Sequence, residues 1–249
     1  MTDCTAIHRG HPSYVWRAGQ ERRLNIVREH VALEGKRTLD VGCGLGMYTE
    51  ALGCYSDQVY GVEVELDRAV AASGRAQGVA QAVGEALPFS DGTFDVVFSH
   101  EVLEHVADDR RTAHEMVRVT RPGGQIAIYV PNRRWPFETH GIYWRGEYHF
   151  GNIPLINYLP DALRSRLAWH VRVYTRRDLL ALFDGLPVRL VVHRTVYPGF
   201  DNVVHRWPSV GGLIRAISYR LERLPVFGQF GLSHFLVLER QAMAGEWRG

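Results

Sequence analysis

The stretch TLDVGCGLGMY, residues 38–48, places three glycines at every second position directly after a short apolar run. A glycine-rich turn between a strand and a helix lets the backbone approach a bound nucleotide closely. The dinucleotide fingerprint Gly-x-Gly-x-x-Gly needs its third glycine at position 47, where this chain has Met47. Asp40 stands at the end of the apolar run, where a carboxylate repels a pyrophosphate and attracts an ammonium group. The stretch therefore predicts a site for a positively charged nucleoside.

A second carboxylate, Glu63, closes the next predicted strand, VYGVE, 21 residues after Gly42. An acidic residue at this spacing accepts hydrogen bonds from ribose hydroxyls in nucleotide-binding folds. The alternative is a solvated side chain at a strand end. Together with Asp40, Glu63 strengthens the prediction of a nucleoside site.

Strands and helices alternate between residues 36 and 131, after an amphipathic helix predicted over 15–33. The predicted strands are 36–41, 58–62, 79–83, 93–99 and 125–130, and the predicted helices are 47–52, 66–75 and 109–119. The segment Arg121-Pro122-Gly123-Gly124 is predicted to be a turn. This alternation predicts an α/β fold with a doubly wound, mainly parallel sheet, helices on both faces, and a ligand beyond the carboxyl ends of the strands.

Two irregular segments interrupt the pattern after Pro131. Long insertions in a compact domain commonly form lids or binding loops, so we expect two lid insertions. Regular structure is predicted between and after them, as a helix over 176–183 and strands over 188–196 and 233–239. We expect a single domain over 1–249, made up of a helical cap (1–35), a cofactor-binding core (36–131), a substrate lid (132–173) and a C-terminal half (174–240) whose second insertion is 197–231.

Composition and charge narrow the class of protein. The chain has 249 residues, 46% of them hydrophobic, and no apolar run long enough for a spanning helix, so we expect a cytoplasmic protein. Residues 1–130 carry 13 Lys and Arg against 18 Asp and Glu, whereas residues 131–249 carry 16 against 9. The basic second half indicates either a solvated surface or contact with an anionic substrate or lipid. Nucleic-acid-binding signatures are absent from the sequence.

Four segments in order resemble the class I S-adenosylmethionine-dependent methyltransferases, in particular the branch of the ubiquinone and menaquinone biosynthesis methyltransferases. They are TLDVGCGLGMYTEAL, VYGVEVE, GEALPFSDGTFDVVFSHEVLEHV and RVTRPGGQIAIYVPN, which lie within residues 38–132. The resemblance implies a Rossmann-like seven-stranded sheet of order 3-2-1-4-5-7-6 with strand 7 antiparallel. It also implies S-adenosyl-L-methionine as the cofactor.

The resemblance further implies a set of cofactor contacts. The glycines would admit the methionine part, Asp40 would help to orient its ammonium group, and Glu63 would bind the ribose. Relatives often carry an aspartate where this chain has Val83, so Glu85 is the candidate contact to the adenine. The complete expected set is Asp40, Gly42, Gly44, Glu63, Glu85, Ala86, Ser99 and His100.

Transfer of a methyl group to a hydroxyl needs a base that removes the proton during attack. The candidates are His105 in EVLEHV and His140 in the lid segment PFETHG. His105 has an alternative role as part of the pocket wall. Glu101, Glu104 and His105 also match a Glu-x-x-Glu-His run that resembles a divalent-metal site in some quinone-pathway relatives, but without a further ligand we assign no metal.

The lid is rich in aromatic residues and arginine, which suits a flat, anionic or lipidic acceptor. The expected acceptor contacts are Trp135, Glu138, Tyr143, Arg145 and His149. In the second insertion, apolar residues recur with helical spacing over 209–224, with arginines between them. This pattern predicts a basic amphipathic helix that caps the substrate pocket or forms a dimer contact, with peripheral contact to the inner membrane surface as the alternative.

We therefore expect a methyltransferase that acts on a small-molecule acceptor, at a hydroxyl of an aromatic or quinol, sugar or lipid-linked compound. A carbon or nitrogen acceptor is the nearest alternative. A nicotinamide-dependent oxidoreductase is disfavoured by Asp40 and the glycine spacing, and a non-catalytic scaffold is disfavoured by the intact cofactor motif. The oligomeric state is left open.

Overall fold

The computed structural model describes residues 17–242, which contain a central sheet of seven strands. The first five central strands are β1 (Thr38–Val41), β2 (Val59–Glu63), β3 (Gly78–Gln81), β4 (Phe94–His100) and β5 (Thr120–Pro131). The last two are β10 (Val188–Val196) and β11 (Ser233–Arg240), and four short strands lie in the lid: β6 (Phe137–Glu138), β7 (Ile142–Trp144), β8 (Glu147–His149) and β9 (Ile153–Pro154). The α-helices are α1 (Ala18–Arg28), α2 (Met47–Gly53), α3 (Leu66–Ala72), α4 (Asp109–Val119), α5 (Asp161–Leu167), α6 (Arg176–Ala181), α7 (Asp201–Arg206) and α8 (Pro208–Leu221).

The order of the central sheet is β3-β2-β1-β4-β5-β11-β10, and β11 runs antiparallel to both of its neighbours. The pairs from β3 to β5 are parallel, so the carboxyl ends of β1, β2 and β4 meet at one edge. This is the predicted α/β class and strand order, which are both confirmed. Its consequence for function is that the glycine stretch and Glu63 lie beside each other.

Two apolar layers cover the sheet, because side chains alternate between its faces along each strand. On β5, Ile126 and Ile128 belong to a buried cluster that includes residues of α4 and α6. Ala127 and Tyr129, which alternate with them, belong to a second cluster with residues of α1 and α2. All of the four side chains are fully buried. The sheet is therefore covered by helices on both faces, as predicted.

The predicted turn at 121–124 is instead an irregularity inside β5. Phe94 of β4 pairs with Thr120, and Val96, two residues later, pairs with Gln125, so four residues of β5 loop out of the ladder. Gly123 has a left-handed φ of 75°, and a Cβ on Gly124 would lie 2.8 Å from the carbonyl oxygen of Asp95. The two glycines therefore allow this loop to close against β4 and let the strand continue.

Both insertions contain regular structure. The first includes two small antiparallel ribbons, β6 with β9 and β7 with β8, followed by α5. The second includes α7 and α8. None of the helices within 17–242 is long and apolar enough to cross a membrane.

We expect Gly124→Ala to lower the free energy of unfolding by about 1–3 kcal/mol, because the new methyl group would overlap the Asp95 carbonyl and the Thr120 side chain. The matched control is Gly53→Ala at the end of α2, where a Cβ meets nothing within 4 Å. Urea denaturation of the two variants measures the difference. Equal midpoints for both variants and the unaltered chain would contradict the role given to Gly124.

Candidate cofactor site and active site

The glycine loop after β1 turns through three left-handed residues. Gly42, Gly44 and Gly46 have φ values of 72°, 55° and 82°, which non-glycine residues adopt only with strain. A Cβ on Gly42 would lie 2.4 Å from a methyl carbon of Val102, so a larger residue does not fit there. A Cβ on Gly44 would meet nothing within 4 Å, because this residue faces an open cavity. The loop thus keeps the backbone accessible at the point where a ligand would approach.

The cavity has a volume of about 810 Å³, within the range of small-molecule and cofactor sites. It lies at the carboxyl ends of the parallel strands and is bordered by α1, the lid and the start of the second insertion. Seven of the predicted site residues line it, namely Gly42, Gly44, Glu63, Glu85, His100, His105 and His140. The fold therefore brings five of the eight predicted cofactor contacts and both candidate bases to one cavity.

Glu63 links the glycine loop to the end of β2. One carboxylate oxygen accepts a hydrogen bond from the Gly44 amide at 2.9 Å. The other accepts from the amides of Val64 and Glu65, at 2.9 and 3.0 Å. Hydrogen bonds to backbone amides favour the ionised carboxylate. Glu63 therefore orders the loop and also presents a negative charge at the cavity wall.

Asp40 lies beneath the loop and is not part of the cavity lining. Its side chain is buried, and one carboxylate oxygen accepts a hydrogen bond from the Thr49 hydroxyl at 2.7 Å. Burial, with a smaller contribution from the neighbouring Glu63, raises the pKa of Asp40 to about 7 against the opposing hydrogen bond from Thr49. Asp40 can act on a ligand at a distance through its charge in a low-dielectric setting. Its predicted contact with the ammonium group of a cofactor stays a prediction.

The segment after β3 contains Glu85 and Ala86, which are both expected to contact the cofactor, but only Glu85 lines the cavity. Glu85 lines the cavity, and its carboxylate accepts hydrogen bonds from the amides of Ala107 and Asp108, at 2.7 and 3.1 Å. Ala86 points to the exterior and does not line the cavity, because the chain turns away toward the buried Leu87. Glu85 therefore joins this segment to the loop after β4.

A charged cluster occupies the end of β4. The Arg23 guanidinium of α1 lies 2.5 Å from the His100 ring, 3.2 Å from the Glu101 carboxylate and 3.0 Å from the Ser233 hydroxyl. Burial and the charge of Arg23 lower the pKa of His100 to about 3, so His100 is neutral. Ser99, which precedes it, is fully buried, and its hydroxyl oxygen has no hydrogen-bond partner within 17–242. The expected contact of Ser99 with the methionine part would require a ligand or water to reach this oxygen.

Arg23 was missed by reasoning from the sequence, although it lines the cavity. The available signal was its position four residues before Val27, which places an arginine on the buried side of the helix. An arginine among apolar positions needs a carboxylate partner, and the helix offers none there. The partner is Glu101, 78 residues away, whose own φ of 58° is unusual for a residue other than glycine.

The lid positions His140 through its neighbour Glu138. The Glu138 carboxylate is almost fully buried and accepts hydrogen bonds from the His140 backbone amide at 2.9 Å and from its ring Nδ1 at 3.2 Å. Its other oxygen accepts from Arg164 of α5 at 2.6 Å. The remaining ring nitrogen, Nε2, lies 3.7 Å from Glu101. The lid therefore fixes a histidine against the cluster at the end of β4.

Five residues expected to touch an acceptor lie outside the lining of the cavity that the described residues form. The rings of Trp135 and Tyr143 pack against other lid aromatics, and Arg145 lies over the ring of Trp144. These contacts occupy the side chains within the lid itself. The geometry therefore gives no support to acceptor contacts by Trp135, Glu138, Tyr143, Arg145 and His149.

Glu104, His105 and His140 offer one ligand atom each within 4.8 Å of one another. The Glu104 carboxylate is buried, and neither of its oxygens has a hydrogen-bond partner in the described part of the chain. Burial and the neighbouring Glu101 raise the pKa of Glu104 well above its usual range. The cluster differs from the metal run considered from the sequence, because His140 takes the place of Glu101. The assignment of no metal stays a prediction.

Comparison with known proteins identifies the central part of the chain. Residues 39–128 match a model of the methyltransferase domain. They form a domain of the class I S-adenosylmethionine-dependent methyltransferase family. The predicted family and its cofactor, S-adenosylmethionine, are thereby confirmed.

Two relatives match part of this chain. A ubiquinone biosynthesis O-methyltransferase of Azotobacter vinelandii is 39% identical over 118 residues, which cover 45% of this chain and 51% of the relative. An uncharacterized methyltransferase of a Mycobacterium species is 40% identical over 111 residues, 43% of each chain. The chain thus spans about half the length of the first relative, and its lids lie largely beyond the methyltransferase domain match.

Solved structures support the methyltransferase fold over most of the chain. An S-adenosylmethionine-dependent methyltransferase from Mesorhizobium loti has a TM-score of 0.61 at 17% identity, covering 87% of this chain and 96% of the other. The [4+2]-cyclase SpnF has a TM-score of 0.59 at 17% identity, covering 94% and 85%. A protein named for a different reaction shares the fold, so the reaction must be argued from the site.

The cavity fits S-adenosylmethionine. Gly44 leaves open space over the loop backbone, and Gly42 keeps the loop close to Val102. Glu63 supplies a carboxylate beside this loop, and Asp40 lies beneath it. A ligand with a sulfonium and an ammonium group is attracted by two carboxylates in a poorly hydrated site. Gly42, Gly44 and Glu63 would hold the cofactor directly.

We expect Glu63→Gln to raise the dissociation constant of S-adenosylhomocysteine tenfold or more. The variant removes the charge-assisted hydrogen bonds, worth about 1.5–3 kcal/mol. Isothermal titration calorimetry provides the measurement, with the exposed Glu34→Gln as the control. Identical dissociation constants for both variants would show that Glu63 does not bind the cofactor. Tight binding of NAD without binding of S-adenosylhomocysteine would contradict S-adenosylmethionine as the cofactor.

Because the pKa of Asp40 is raised in the folded state, ionisation of this buried carboxyl lowers the free energy of unfolding as the pH rises. Its pKa is about 7 in the folded state and near 3.8 when unfolded, so the stability conferred by the neutral form is fully present below pH 4 and is lost as the pH rises to 7. We expect the free energy of unfolding of Asp40→Asn to exceed that of the unaltered chain increasingly from pH 4 to 7, by up to about 4 kcal/mol. Urea denaturation across this range measures the difference. A constant difference across this range would contradict it.

Proposed function

We propose that this protein transfers the methyl group of S-adenosylmethionine to a hydroxyl oxygen of a small-molecule acceptor. The observation that supports this best is that His140 lines the cofactor cavity and that its ring is held by the buried Glu138 behind it. A hydroxyl is a weak nucleophile near neutral pH and gains most from a base that takes its proton. The naming of the Azotobacter relative as an O-methyltransferase supports the same acceptor atom.

Glu138 prepares His140 for this role. Burial opposes ionisation of Glu138, but the hydrogen bonds from His140 outweigh it, so the pKa of Glu138 lies below its usual value. The ionised carboxylate accepts a hydrogen bond from Nδ1–H of His140. This bond selects the tautomer in which the proton stays on Nδ1 and Nε2 has a free lone pair. Arg164 holds the other carboxylate oxygen of Glu138 at 2.6 Å and prevents its rotation. Glu138 is therefore a positioning residue and His140 the base.

His105 is the weaker candidate for the base. Burial and the neighbouring His140 lower the pKa of His105 to about 4, although its side chain is exposed at the cavity surface. A base with so low a pKa accepts a proton poorly at neutral pH. The ring of His105 packs edge-on against that of His140 at 5.1 Å. We therefore assign His105 to the wall that holds the base in place.

When bound, the cofactor supplies an electrophilic methyl group, whose carbon–sulfur bond breaks as the acceptor oxygen attacks. Gly42, Gly44 and Glu63 bind the donor, and His140 takes the hydroxyl proton on Nε2. The ionised Glu101 lies 3.7 Å from this nitrogen and stabilises the resulting imidazolium. Most of the rate enhancement would come from holding acceptor and donor together in one cavity.

The cavity lining suggests the kind of acceptor. Val41, Val62, Val102 and Leu232 give it apolar walls, and Arg17 adds a cation near the entrance from α1. An aromatic or quinol, with or without an anionic substituent, fits these walls best, and sugar and lipid-linked acceptors are the remaining candidates. A carbon or nitrogen acceptor would need less help from His140, because many such nucleophiles carry no hydroxyl proton to remove.

We expect His140→Ala to lower kcat by a factor of about 10² to 10⁴ while leaving the dissociation constant of S-adenosylhomocysteine unchanged. Glu138→Gln should cause a smaller loss and alter the acidic limb of the pH–kcat profile, because the amide no longer stabilises the charged histidine. Transfer of a radiolabelled methyl group to a panel of catechols and quinols measures these effects. The exposed His114→Ala serves as the control.

Two outcomes of this assay would contradict the proposal. If the panel, extended to sugars, accepts no methyl group while the cofactor binds, the chain is a cofactor-binding scaffold. If activity is lost with EDTA and restored by Mg²⁺, His140 acts as a ligand together with Glu104 and His105 and is not the base. A rate unaffected by EDTA and lost in His140→Ala is the expected result.

A further inference from the structure

Helix α8 turns its polar side inward. Arg215 donates hydrogen bonds to the Gly199 carbonyl at 2.5 Å and to Asp201 at 2.9 Å. The Arg22 guanidinium of α1 lies 3.9 Å from the centre of the Tyr219 ring. A Cβ on Gly211 would lie 2.5 Å from the Val204 backbone, so α7 crosses α8 closely at this glycine. The contacts that hold α8 to the protein are therefore largely polar.

Glu222, directly after α8, anchors the same side. Its buried carboxylate accepts hydrogen bonds from Arg22 at 2.7 Å, from Arg194 at 2.8 Å and from the Tyr197 amide at 2.8 Å. A buried carboxylate with three donors costs much to expose. These bonds fix the rotation of α8 about its axis.

The apolar side of α8 consequently faces outward. Val210, Leu213 and Ile217 expose 57%, 62% and 47% of their surface, and Ile214 exposes 38%. Val226 and Phe227 continue the surface beyond the helix, with exposures of 64% and 48%. We call these six residues the apolar face. A surface helix of a globular protein normally buries this stripe, so a contiguous exposed one indicates a partner.

Cations surround the apolar face. Arg220 follows Leu213 by seven positions and Ile217 by three, which places it along the edge of the stripe. Arg206 and Arg223 are also exposed, and the only acidic residue between 202 and 230 is Glu222, which is buried among its arginine partners. The exposed surface of this segment is thus apolar and positively charged.

We propose that the apolar face docks on the surface of an anionic lipid bilayer. A helix that presents large aliphatic side chains with flanking arginines matches the boundary between acyl chains and negative headgroups. A symmetric dimer through the same face is disfavoured, because it would bring Arg220 and Arg223 close to their own copies. Pro198, Gly199 and Asp201, which precede α8, border the cavity, so docking would place one wall of the cavity near the bilayer. The docking does not depend on the methyl-transfer proposal.

Sedimentation with vesicles tests the docking. The full chain is mixed with vesicles of phosphatidylcholine and phosphatidylglycerol in a 7:3 ratio, or of phosphatidylcholine alone. We expect binding to the anionic vesicles that is at least tenfold stronger than binding to the neutral ones and falls as salt is raised. Leu213→Ser with Ile217→Ser should abolish binding. Arg220→Gln with Arg223→Gln should weaken it about fivefold for each arginine removed.

The matched control replaces exposed apolar residues elsewhere, Val70→Ser with Leu163→Ser, and should bind as the unaltered chain does. Titration with S-adenosylhomocysteine verifies that every variant is folded. A chain that stays in the supernatant with anionic vesicles overturns the proposal. If light scattering after gel filtration shows a dimer that Leu213→Ser with Ile217→Ser dissociates, and vesicles do not bind, the face is an interface between two copies.

Discussion

The ion pair between Arg23 and Glu101 holds together the parts of the molecule that form the cavity. It joins α1 to the end of β4, and the Ser233 hydroxyl, which donates to Glu101 at 2.9 Å, adds the start of β11. Burial alone would raise the pKa of Glu101, but the Arg23 guanidinium and the nearby histidines outweigh it and hold the pKa at about 2. The loss of either partner would leave an uncompensated charge in the cavity wall, which is among the most costly changes in a protein interior.

This pair also sets the charge of the groups around it. Arg23 helps to keep His100 neutral, and the charge of Glu101 adds to burial in raising the pKa of Glu104. The negative charge of Glu101 is directed toward Nε2 of His140 from the lid. The pair thus places a carboxylate beside His140, while Arg23 lowers the pKa of His100 and Glu101 raises that of Glu104. The left-handed backbone at Glu101 is consistent with a site where strain is tolerated for function.

Local patterns in the sequence predicted most of the cofactor half. The alternation of strands and helices predicted a mainly parallel sheet, and the resemblance to the methyltransferase family implied its strand order. The spacing of Gly42, Gly44 and Glu63 predicted three residues that meet at one edge. These inferences succeed because parallel strands bring their carboxyl ends together whatever the details of packing. The lid was harder. Its aromatic residues were expected to face an acceptor, but Trp135 and Tyr143 pack against other lid side chains.

The sequence by itself determined the fold class and a site for a positively charged nucleoside, because these depend on short-range periodicity and on glycines whose backbone geometry is local. The resemblance of four sequence segments to known methyltransferases added the family and the methyl donor. Only the tertiary structure decided that Arg23 reaches Glu101, that Glu138 orients His140, and that α8 turns its apolar side outward. Helical spacing shows which side chains share a face, but whether that face is covered depends on residues far away in the chain. For α8, Arg22 and Arg194 bind Glu222 and draw the polar side inward, which leaves the apolar face to an outside partner.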